Sequence, residues 1–327
     1  MMNKRLKQGT TFLLALALAF PLLTLPGARA ANAIDTDQKC SVAFNVSGEG
    51  NELTTTDIQV NLYKVADVDV SGNYTATKDF TGLDVSSVSA DDKDTAASKW
   101  ADRAKEAQEM LTKSVKKTAT VTLKAGTGSL ADLATGLYLV DTPEVVTTNY
   151  TYTFTPYLVS LPTNNYYSNG NDNWIYDLTA TNAIGLKHEE HARYGDLIIN
   201  KRLKNHNATT GKKATFVFQI EINKTETRIE SLDFEAAGDS SVTITKIPAG
   251  AKVKVTEVYS GASYKLTSAN DQTATIVATD RGSTNTPASV SFTNDVDDNM
   301  NGGYGVRNNF KLDENGQYQY TKPAAKN

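Results

Sequence analysis

Residues 195–203 read Gly-Asp-Leu-Ile-Ile-Asn-Lys-Arg-Leu. Alternate residues of a β-strand face the same side of a sheet, so Leu197, Ile199 and Leu203 mark an apolar face. Lys201 falls in that same phase. The irregularity recurs twice. In residues 252–259 Glu257 follows Val253 and Val255 at even spacing, and in residues 288–296 Asn294 shares the phase of Val290, Phe292 and Val296. Three segments with strand periodicity each turn one polar residue toward the core.

The pattern around these segments points to an all-β fold. Thr, Ser, Asn, Val and Tyr dominate, and short alternating runs recur between Gly, Asn and Asp clusters, as in β-sandwiches. Strands are predicted at 40–46, 58–65, 118–123, 136–141, 151–161 and 174–181, and again at 197–203, 214–222, 242–247, 252–259, 263–268, 273–278 and 288–294. One stretch breaks this rhythm. Residues 89–117 open with Ser89, Asp91, Asp92 and Asp94, carry Trp100, Ala104, Leu111 and Val115 on one face, and close with Lys113, Lys116 and Lys117. Acid at the start and base at the end suit a helix macrodipole. Two tandem Ig-like β-sandwiches are therefore expected, the first with an inserted α-helix.

The chain opens as a secretory signal. Lys4, Arg5 and Lys7 precede an apolar run from Phe12 to Leu25, and Ala28-Arg29-Ala30 forms a cleavage site. The expected organisation is a signal peptide over 1–30, an N-terminal sandwich over 31–187 and a linker over 188–195. A C-terminal sandwich over 196–296 follows, then a polar tail over 297–327 with a small hairpin. Losing Lys4, Arg5, Lys7 and Arg29 takes the net charge from −4 to −8. That balance argues against nucleic acid or anionic lipid as a partner, and no membrane insertion is expected once the signal is removed. The single cysteine, Cys40, allows no internal disulfide and reads as a small buried residue at a strand start.

A lysine or glutamate buried alone would cost several kcal/mol. Singly, Lys201, Glu257 and Asn294 have ordinary readings: a surface lysine, a ladder-end glutamate and a turn asparagine. Their shared phase, with Lys201 and Asn294 in the first and last strands of one domain, favours a joint role. Burial lowers a lysine pKa, making the amine nucleophilic, and raises that of a glutamic acid, so that it carries protons. Such an amine beside an Asn carboxamide forms an amide and releases ammonia, an intramolecular isopeptide bond.

The second half resembles the Cna B-type modules of Gram-positive pilins, through "GDLIINKRL", "ATFVFQIE", "VTITKIPAGAKVKVTEVYSGASYKLTS" and "VSFTND". The first half resembles their N-terminal partner domain through "VNLYKVADV", the inserted helix, "ATGLYLVDTPE", "YTFTPYLVSLP" and "NWIYDLTATN". The resemblance implies Lys201 as donor, Asn294 as acceptor and Glu257 as the catalytic acid. The first domain departs from it, because Cys40, Val42, Phe44 and Val46 leave no lysine in the first strand. Lys64, Asp141 and Asn182 form a second candidate set, with an uncross-linked first domain as the expectation.

What this implies is a non-enzymatic structural or accessory subunit of a secreted bacterial surface fibre, with other pilin subunits or cell-wall machinery as partners. The alternative is a surface adhesin that contacts a host protein or glycan through loops such as 164–173. No sorting motif, apolar anchor or basic tail closes the sequence, so an accessory or released subunit is expected unless the natural chain continues. No cofactor or metal is expected. Asp297-x-Asn299-x-Asn301 imitates a calcium loop but has Asn308 at its twelfth position, and His188-Glu-Glu-His191 lacks zincin spacing.

Overall fold

The computed structural model describes residues 23–24, 33–46, 52–89, 93–164, 173–179, 183–208, 213–261, 263–280, 282–297, 309–312 and 318–321. The cleavage site, nearly all of the signal, loop 165–172, Asn182 and the calcium-like loop beyond Asp297 lie outside the described residues. The chain divides into two compact units, Met1–His191 and Ala192–Asn327.

The first unit has three layers. In one sheet Cys40–Asn45 runs antiparallel to Thr127–Leu133 on one side and parallel to Asp177–Leu178 and Ile184–Gly185 on the other. In the facing sheet the order is Tyr157–Leu161, Gly136–Asp141, Ile58–Val68 and Tyr74–Ala76, with Ala119–Leu123 also beside Ile58–Val68. Val42, Phe44, Val60, Leu62, Tyr138 and Val140 fill the space between the sheets. Cys40 lies fully buried there, and burial pushes its thiol up to about 12.

The helix, Lys93–Glu109, forms the third layer. It sets Ala96, Trp100, Ala104 and Ala107 against the outer face of the second sheet at Leu137, Leu139 and Leu158. The helix ends before the lysines expected to close it. Met110 and Leu111 complete its last turn with bonds to Glu106 and Gln108, and the Val115 amide turns back onto Thr112. By Thr118 the amide already pairs with Leu62, so the backbone must be extended there to enter the sheet. Residues 188–195, expected as a linker, carry strand structure: His188–Ala192 is an exposed strand beside Tyr150–Phe154, and the next strand opens at Tyr194. An edge strand needs only backbone pairing, which these polar residues allow.

The second unit is a two-sheet sandwich of four strands each. One sheet orders Gly238–Pro248, Tyr194–Leu203, Ala288–Val296 and Tyr264–Leu266; the other orders Glu226–Phe234, Ala214–Ile222, Lys252–Tyr259 and Asp271–Thr275. Its first and last strands are parallel neighbours, with Lys201 opposite Phe292 and Leu203 opposite Asn294. The alternating residues Leu197, Ile199, Phe216, Phe218, Ile220, Val253, Val255, Val290 and Phe292 interdigitate as its core. Glu226–Phe234 was not among the expected strands. It is an edge strand with Arg228 and Glu230 on one face and Thr227, Ile229 and Ser231 on the other, so no apolar face announces it. A short hairpin pairs Asn309–Leu312 with Tyr318–Thr321. Among the described residues the chain is thus all-β apart from one α-helix and two single-turn 3-10 helices.

Candidate functional site

Lys201, Glu257 and Asn294 meet inside the second sandwich. Their residue exposures are 1%, 4% and 0%. The parallel register explains how two of them meet: Asn294 lies two residues further along than Phe292, the partner of Lys201, and so on the same face. A diagonal neighbour at about 7–8 Å is within reach of a long side chain. Glu257 arrives from the facing sheet, in the phase of Val253 and Val255.

The contacts close a ring. Lys201 Nζ donates to Glu257 Oε2 and to Asn294 Oδ1, and Asn294 Nδ2 donates to Glu257 Oε1 at 2.6 Å. One carboxyl group therefore faces both the amine and the amide nitrogen. Around the ring the surface is aromatic. Lys201 Nζ lies 4.3 Å from the centroid of Phe216 and 5.6 Å from that of Phe218, and Phe218 packs against Phe292 at 5.2 Å. Tyr264 closes the stack edge-on to Phe216, with its hydroxyl accepting from the Asn207 amide at 3.0 Å.

Burial among these rings pushes the Lys201 amine below its ordinary value of 10.5, and the neighbouring Glu257 carboxylate only partly opposes that. Desolvation disfavours the ammonium because water no longer solvates the charge. Chemically, an amine whose charged form is disfavoured touches an amide oxygen, and one carboxyl group bridges the amine and amide nitrogens.

The first-unit candidates are placed differently. Lys64 pairs with Asp67 at 2.5 Å, while Asp141 accepts a hydrogen bond from Gln108 of the helix at 2.7 Å. Lys64 follows Val60 and Leu62, which face the sandwich interior, whereas Asp141 follows Leu137 and Leu139, which face the helix. The sheet itself separates the two, so the structure does not bring them together; Asn182 is outside the described residues. The Lys64 stem instead crosses Gly136, where a Cβ would lie 2.5 Å from Cε and φ is +151°. Among the described residues no group of His, Cys, Asp and Glu is arranged to hold a metal ion, and no helix is long and apolar enough to cross a membrane.

A protein family described as "Domain of unknown function (DUF5979)" matches residues 197–297, a span that includes Lys201, Glu257 and Asn294. No curated protein matches the chain. Among solved structures, the chain is similar to the major pilin SpaA of Corynebacterium diphtheriae, with 15% identity, TM-score 0.29, and 66% of this chain and 62% of SpaA covered. It is similar to the Bacillus anthracis TIE protein, with 14% identity, TM-score 0.30, and coverage of 79% and 34%. It is also similar to GBS52, the minor pilin of Streptococcus agalactiae, with 12% identity, TM-score 0.24, and coverage of 79% and 96%. The chain spans less than two thirds of the SpaA and TIE chains.

Proposed function

We propose that the protein is a structural or accessory subunit of a bacterial surface fibre whose second sandwich is closed by an autocatalytic Lys201–Asn294 isopeptide bond. The observation that carries this reading is the buried ring of Lys201, Glu257 and Asn294. Proton transfer within the Lys201–Glu257 pair leaves a neutral amine and a protonated acid. Lys201 Nζ attacks Cγ of Asn294, and Oδ1 takes the developing charge. The Nζ–Cγ bond forms as the Cγ–Nδ2 bond breaks. Glu257 delivers a proton to Nδ2 through Oε1 and regains one from Nζ through Oε2. Neutral ammonia leaves, and the carboxyl ends protonated, holding the proton that the lysine ammonium gave up.

The secretory signal, the exclusion of disulfides and the pilin-like fold support an extracellular load-bearing role. Tension passing from the first strand to the last through such a bond would bypass the rest of the domain. Intact mass tests the chemistry: the purified protein should be one ammonia lighter than its processed sequence, and Lys201→Ala should restore the full value. A native protein of full sequence mass would remove the cross-link from this reading. For the fibre role, the producing cell's wall extract should contain high-mass ladders that carry this chain and collapse on loss of sortase. Monomer confined to the medium would instead favour a released adhesin.

A further inference from the structure

The cross-link needs groups from two sheets in register, yet among the described residues no backbone ladder joins the sheets. Lys201 and Asn294 belong to one sheet and are aligned by parallel pairing, whereas Glu257 belongs to the other. Facing sheets are held by side-chain packing, which resists sliding less specifically than directional hydrogen bonds. Reaction rates are sensitive to such sliding, since a displacement of about 1 Å can cost roughly a hundredfold.

One short segment bridges the gap. It begins where Tyr264–Leu266 ends beside Asn294. The Thr267 amide and hydroxyl both donate to the Thr293 carbonyl, at 2.8 Å and 3.0 Å, and the Thr293 amide donates to the Ser268 hydroxyl at 3.1 Å. Two residues further on, Asn270 Oδ1 accepts from the Glu257 amide at 3.0 Å. Then Gln272 Nε2 donates to the Ser291 carbonyl, and its Oε1 accepts from the Ser291 amide at 3.1 Å. Gln272 itself belongs to Asp271–Thr275 in the sheet of Glu257. Its side chain therefore acts as a missing strand for the outer edge of the last strand, three residues before Asn294.

We infer that residues 267–272 are a brace that registers Asn294 against Glu257, with Asn270 and Gln272 as positioning residues for cross-link formation. This rests on the cross-link reading above. Asn270 fixes the backbone of the acid, Gln272 and Ser268 fix the strand of the acceptor, and all three lie within a span of five residues. Neither Asn270 nor Gln272 touches the reacting atoms, so their effect is on rate through alignment.

The test follows pulse-labelled full-length protein, with folded monomer isolated at successive times and ammonia loss read by intact mass. Wild type and Asn270→Asp, which keeps the acceptor oxygen, should react at the same rate. Asn270→Ala and Gln272→Ala should fold but react roughly tenfold or more slowly. Thr215→Val, which removes a bond to Asp233 elsewhere in the sandwich, should change nothing. Should either alanine variant yield no folded monomer, the isosteric Gln272→Glu keeps the acceptor for the Ser291 amide, loses the donor to its carbonyl, and should be comparably slow. Wild-type rates in the folded alanine variants, or an Asn270→Asp variant as slow as Asn270→Ala, would overturn the brace and leave the cross-link standing. A wild type that never loses ammonia would overturn both.

Discussion

Lys201 and Glu257 form the one ion pair, among the described residues, in which both side chains are wholly shielded from water. Every other pair leaves at least one partner substantially exposed. A buried pair does little for stability by itself, because desolvation offsets the mutual attraction. In the proposed cross-link, chemistry that consumes the pair would account for its retention at the meeting of two sheets, since converting the amine to an amide would remove its desolvation cost.

Asn294→Ala keeps the Lys201–Glu257 pair but removes the acceptor. Residues 201 and 294 lie 93 apart in sequence, and cross-linking a loop of that size stabilises by ~4–5 kcal/mol through the unfolded chain. At ~4–8 °C per kcal/mol for a domain of this size, the transition of the second unit should fall by on the order of 20–30 °C. Differential scanning calorimetry reads this directly; a shift of a few degrees would contradict it.

The same variant should show a distinctive alkaline response. With the cross-link absent, folded Lys201 has its pKa held below 10.5, mainly by desolvation. Between the folded and unfolded values the unfolded chain binds more protons, so stability rises with pH across that window and levels off above 10.5. Urea denaturation over alkaline pH should reveal the rise in Asn294→Ala and its loss in Asn294→Ala combined with Lys201→Met.

At the start of the second unit, Arg193 grips Asp280 through Nη2 at 2.7 Å and Nε at 3.1 Å, and the Tyr194 amide donates to the same carboxylate. Gly195 lies so close to this loop that a Cβ would fall 1.8 Å from the Val277 carbonyl. Hydrogen bonds from Arg193 lower the Asp280 pKa below 3.8. The contribution is therefore complete above 3.8 and is lost as pH falls through the lower, folded value. Hydrogen exchange at the Tyr194 amide should accelerate on that acid side, and Asp280→Asn should make the exchange fast throughout.

Trp100 anchors the helix of the first unit at 3% exposure. Trp100→Ala should destabilise that unit by about 3–5 kcal/mol, through lost burial and the cavity left behind. Calorimetry should show its transition moving down while ammonia loss from Asn294 continues unchanged.

How much of this was legible beforehand differs by element. The segment 195–203 revealed both its strand and its inward lysine, because strand periodicity is local and Leu197, Ile199 and Leu203 leave one phase unambiguous. The same held for Glu257 after Val253 and Val255. The strand Glu226–Phe234 was invisible, since neither of its faces is uniformly apolar. The helix was legible at Trp100 and Ala104 but not at its end, because a sheet partner, Leu62, decides where the chain must become extended. Lys64 and Asp141 shared strand phases within their own segments, yet which face each phase occupies depends on how the sheet is sandwiched.

Alternation within single strands, then, determined by itself that the protein is all-β and that three polar residues face a core. That information is short-range, carried by side chains two residues apart. Only the tertiary structure decided that Lys201 and Asn294 lie on parallel neighbouring strands, that Glu257 reaches them from the opposite sheet, and that Asn270 and Gln272 tie those sheets together. Those relationships depend on pairing and packing between segments from 13 to 93 residues apart, where no local periodicity can specify the partner.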